Sequence, residues 1–157
     1  MTTNVVTATM EEALTSPERD TTLRRLHDWQ HRVHVLYDEI QRHLSSPYTW
    51  DRSGKQRSWE ARVQQAGLTE DEVPAVDTLR IMRNGHTVAQ LVPRMLWMIG
   101  ANGRIDVIVT SQRAGRLFML FDRSAPFANQ SDWRLVRPTD MMAQPPFHPD
   151  QFHEMLE

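Results

Sequence analysis

The chain has 157 residues, a net charge of −2 and no cysteine. That length favours one domain with a core large enough to need no staple. The missing cysteines exclude disulfides, thiolate metal sites, iron–sulfur ligation and a cysteine nucleophile. They fit a cytoplasmic setting, and the near-neutral balance supplies no global basic field for nucleic acid or anionic lipid. Of the 18 basic residues only Lys55 is lysine. That bias fits a GC-rich genome, or arginines used for their planar, forked pairing at interfaces.

Residues 1–15 read as a flexible arm, with Thr9-Met10-Glu11-Glu12 as a capping box for one turn before Pro17. They lack the basic and apolar regions of a secretory signal. Ser16-Pro17-Glu18 is a stronger start signal: a capping side chain, a proline suited to the first turn, and acids for the positive helix end. At about 100° per residue, Leu26, Trp29, Val33, Leu36, Tyr37, Ile40 and Leu44 share one face. An amphipathic helix over 16–45 follows, about 40 Å long, ended by Ser45-Ser46-Pro47.

Residues 46–77 form a connecting segment. Tyr48 to Lys55 is a turn or short edge segment. Ser58 can cap a short helix carrying Trp59, Val63 and Ala66, stopped by Gly67, and Thr69–Glu72 is a capping box cut off by Pro74.

From 78 to 137 the texture is β. Asn84-Gly85 joins Leu79–Arg83 to His86–Val92 as a tight hairpin. Pro93 splits a strand or bulges it. Arg94–Ile99 and Arg104–Thr110 flank a second turn, and Arg116–Asp122 and Trp133–Arg137 complete a meander. Residues 138–157 are a Pro-rich tail with a short terminal helix from Asp150 to Leu156. The expected fold is single-domain α+β: a long N-terminal amphipathic helix packed on an antiparallel meander of four to six strands, then a short C-terminal helix. No segment approaches the roughly 20 apolar residues of a membrane span.

Alternation assigns Met95, Trp97, Ile99, Ile105, Val107, Val109, Leu117, Met119 and Phe121 to one sheet face. Leu96, Met98, Ile108, Phe118 and Leu120 fall on the other. One helix covers one face, so the second set is the expected surface for a partner protein or a second copy. The leading functional reading is a non-enzymatic accessory or adaptor domain.

Two alternatives rest on local patterns. Tyr48, Trp50, Arg52, Lys55, Arg57, Trp59 and Arg62 interleave bases and rings, as a nucleic-acid surface does, and the arginines between Asp77 and Asp140 add positive charge. His27, His31, His34 and Asp38 recur at spacings of three and four, a metal-ligand geometry that a metal-dependent enzyme could use and the weaker alternative, but on the helix side facing away from the apolar stripe. Ser53-Gly54-Lys55 lacks the rest of a P-loop, and Gly100-Ala101-Asn102-Gly103 sits between antiparallel strands, the wrong place for a dinucleotide loop. No nucleophile motif is present, and no cofactor is expected. Asp106 and Asp122 sit on apolar strands, where burial raises a carboxyl pKa unless an arginine pairs with it.

Overall fold

The computed structural model describes residues 17–110 and 116–157. The capping box at Thr9 and the capping residue Ser16 lie outside them. Helix α1 spans Pro17–His43, with Glu18 and Asp20 in its first turn and Arg42 and His43 in its last, the signs its dipole favours. Six residues of the apolar stripe form its buried face, joined by Thr22 and Arg32, and the seventh, Leu44, is buried one position past its end.

Eight strands follow in order: β1 (Tyr48–Asp51), β2 (Lys55–Gln56), β3 (Val76–Asp77), β4 (Leu79–Arg83), β5 (His86–Met95), β6 (Arg104–Val109), β7 (Arg116–Asp122) and β8 (Trp133–Val136). A six-stranded antiparallel sheet has the order β1-β4-β5-β6-β7-β8, and β2 pairs with β3 beside it. Short helix α2 (Ala61–Gln65) and a single 3-10 turn (Glu70–Glu72) lie between β2 and β3, the latter opened by the Thr69–Glu72 capping box. The terminal helix, Pro149–Leu156, is 3-10 in form and packs against α1. The expected architecture is present. Residues 48–51, expected as part of a turn or short edge segment, pair with β4 as an edge strand, and the β2–β3 ribbon is an addition.

The hairpin at Asn84-Gly85 has positive φ at both residues, 53° and 77°, the geometry that matches strand twist. Pro93 lies within β5, where the register shifts between Pro93 and Met95. Arg94–Ile99 is therefore not a strand of its own. The reason is Glu60, the residue just before α2: its carboxylate accepts the N–H groups of Leu96 and Trp97 at 2.9 and 3.0 Å and draws them out of the ladder.

Register also corrects the face assignment. Val107 pairs with Phe118 and Ile105 with Leu120, so those four residues share a face. The turn between β6 and β7 fixes that parity, and one residue more or less reverses it. Leu79, Leu91, Val107 and Phe118 form a row across four strands beneath α1. Near the loop before β6, the ring of Trp29 lies where a side chain on Gly103 would sit: a Cβ there would meet it at 2.2 Å. Gly103 also has φ +126°, so glycine is required twice over.

Candidate functional site

The histidine stripe does not assemble. His27 and His31 face solvent, while His34 tips toward β3. The backbone N–H of Asp77 donates to Nε2 of His34 at 3.1 Å, so that lone pair is occupied. Burial lowers the pKa of His34, with Arg52 and Lys55 adding to the effect and Asp77 opposing it. Asp38 pairs instead with Arg52, at 2.6 Å. Among the described residues no three His, Asp or Glu side chains are gathered to hold a metal ion.

The cluster around His34 is a clasp. Asp77 accepts from Arg52 Nε at 3.0 Å and from the Lys55 ammonium, with His34 Nε2 at 3.6 Å from its carboxylate. Burial would raise the Asp77 pKa, but Lys55, His34 and Arg52 outweigh it and the net shift is downward. The clasp fastens the β2–β3 ribbon to α1. It also consumes two cations of the basic–aromatic segment. Tyr48 is buried with Arg83 over its ring, and Arg62 lines a cavity with Arg25 and Trp97. Trp50, Arg57 and Trp59 remain exposed, Trp50 on β1 and the other two in the loop between β2 and α2. The structure thus divides the seven residues instead of forming one stacking surface.

The arginines of the sheet are largely engaged. Arg80 pairs with Asp51 at 2.8 Å, Arg94 and Arg104 hold Asp106 at 2.9 and 2.8 Å, and Arg134 pairs with Asp132 at 2.9 Å. Asp122 is fully buried beneath α1 and takes Arg32 Nη1 at 2.5 Å. Burial alone would raise its pKa, but the N–H groups of Asp132 and Ser124 and the Arg32 charge reverse the sign. A carboxylate so saturated cannot serve as a base. This pair was missed in the sequence because Arg32 and Asp122 are ninety positions apart.

The proposed partner surface is corrected. Leu96, Phe118 and Leu120 belong to the main core under α1, and only Ile108 and Met98 lie away from it. On the far face, Met119, Phe121 and Val136 are buried with Met98 and Ala101 folded against them. What stays open there is a cross-strand row: Arg80, Gln90, Ile108 and Leu117 on β4 to β7, with Asp51 at its β1 end. Leu117 is 43% exposed and Ile108 half-buried.

Several cavities indent the described surface, and three of them lie away from that row. One of about 440 Å³ lies between the start of α1 and α2, beside Arg25, Arg62, Glu18 and Trp97, but Arg25 already donates to Asn102 at 2.7 Å. One of about 340 Å³ flanks α1 at His31, Arg32, Glu39 and Trp133. The third, about 280 Å³, is lined by Phe118, Leu135, Arg116 and Arg137 together with Phe147, Glu154 and Met155. Sequence spacing hinted at it only through Arg116 and Phe118, two apart on one strand face.

No known protein family, no curated protein and no solved structure matches this chain. Fold and surface define an α+β domain with one helical layer and one open sheet face. No helix among the described residues is long and apolar enough to cross a membrane.

Proposed function

We propose that the chain is a non-catalytic interaction module that pairs with a second copy of itself through the open sheet face. The observation that carries this reading is the row Asp51, Arg80, Gln90, Ile108, Leu117, which runs across five strands with Arg80 and Leu117 exposed and the other three half-buried. At strand spacings of about 4.8 Å it spans roughly 19 Å. Its composition is self-complementary. A two-fold axis near Ile108 and Leu117 sets apolar side chains against apolar side chains and leaves the Arg80–Asp51 pair at the rim. The inward turn of His34 and the saturation of Asp77 and Asp122 support binding over catalysis.

Light scattering tests it. The chain should run as a dimer, and Leu117→Lys, a change at an exposed position, should convert it to a monomer with unchanged thermal unfolding at equal monomer concentration after correction for mass action. A strict monomer at high micromolar concentration would overturn the reading, and so would a dimer indifferent to Leu117→Lys.

A further inference from the structure

The cavity over Phe118 carries an inference independent of self-association. Arg116 precedes Phe118 by two on the same strand face, and continuation of the β7–β8 register past Met119–Val136 sets Arg137 opposite Phe118. Both guanidinium carbons sit over the Phe118 ring, at 5.8 and 5.5 Å from its centre. Nearly every other arginine of the sheet has a carboxylate, an amide or its own ring. These two share one ring, and among the described residues neither has a carboxylate within salt-bridge distance. Two like charges held over one ring, with no carboxylate in ion-pair contact with either, favour an anion between them. The lining is mixed: Phe118, Leu135, Phe147 and Met155 supply an apolar part and His148 and Gln151 a polar one, and the volume of about 280 Å³ suits a group the size of one large side chain. Glu154 also lines it, on the opposite side of the charge balance.

We infer that this cavity binds a carboxylate borne on a compact apolar body, with the carboxylate between Arg116 and Arg137 and the body against Phe118. Two sources offer that chemistry: a free aryl or branched-chain carboxylic acid, and the C-terminus of a peptide ending in an apolar residue.

Calorimetric titration with phenylacetate and with N-acetyl-Gly-Leu distinguishes the sources, and the primary amide of each is its control. At least one acid should bind saturably with a Kd of about 1 mM or tighter, and its amide at least about tenfold more weakly. Arg116→Gln combined with Arg137→Gln, both at exposed positions, should weaken the acid by a similar factor while leaving thermal unfolding in place. Glu154→Gln should tighten it. Saturation by phenylacetate alone assigns a free acid, and saturation by the dipeptide alone a chain terminus. Failure of both acids to saturate, equal affinity for acid and amide, or indifference to the double arginine variant would overturn the inference. None of these outcomes bears on the dimer, whose row lies on the other side of the sheet.

Discussion

The most consequential single pair joins the helix to the sheet. Arg32 is 6% exposed and Asp122 is fully buried, and the guanidinium also reaches Asp28 at 2.8 Å and the Asn102 carbonyl at 3.0 Å. Asp122 in turn accepts the N–H groups of Ser124 and Asp132, each at 2.9 Å. Removing one partner strands the other charge where water cannot reach it. Arg32→Met is therefore expected to cost about 3–5 kcal/mol, read from the midpoint of urea unfolding with an unchanged slope. Asp122→Asn keeps the shape and some hydrogen bonds but leaves Arg32 under-compensated, and should fall in the same range. The double variant Arg32→Met/Asp122→Leu should recover much of the loss, because a buried ion pair is worth little over a well-packed apolar one. A single variant that costs less than about 1 kcal/mol would show that water enters the site.

At the scale of elements, one carboxylate decides where a strand stops. Glu60 takes two backbone donors that would otherwise continue β5, and in doing so anchors α2 to the loop before β6. Glu60→Ala leaves the Leu96 and Trp97 N–H groups without their acceptor, at an expected cost of about 2–4 kcal/mol for two charge-assisted bonds. Amide exchange should quicken at Leu96 and Trp97 and stay slow in β6. Uniform acceleration would mean that the loop does not open on its own. Legibility follows the same line. The long helix, the Asn84-Gly85 hairpin and the Thr69–Glu72 capping box were readable because each is set by residues within a few positions. The end of β5 was not, because its cause lies thirty-six positions away in Glu60. The faces of β7 were misassigned because alternation fixes which residues share a side, while the parity between strands depends on turn geometry.

At the scale of the whole molecule, that parity decided how much surface was left over. With Phe118 and Leu120 facing α1, the expected second apolar face shrinks to Ile108 and Leu117 beside a small covered cluster. The cavity over Phe118 was equally hidden, since Arg137, Phe147 and Met155 reach it from separate segments. The same long-range pairings set the response to acid. Asp122 and Asp77 hold pKa values below the ordinary 3.8, for although burial pushes both upward, their N–H and cationic partners win. Each contributes stability that is present above its unfolded value and is lost as pH falls through the lower folded value. His34 acts in the same direction at higher pH. Burial lowers its pKa below 6.5, and its Nε2 must stay unprotonated to accept from Asp77. Between the folded and unfolded values the unfolded chain binds the extra proton, so stability rises with pH across that window. Urea midpoints from pH 8 downward should therefore stay level to about 6.5, decline gently as His34 is driven to charge, and drop steeply below about 4. His34→Gln, whose amide oxygen can accept the same N–H, should erase the gentle limb and keep the steep one. A gentle limb that survives the substitution would assign it to other histidines, and the clasp would then have no part in the acid response.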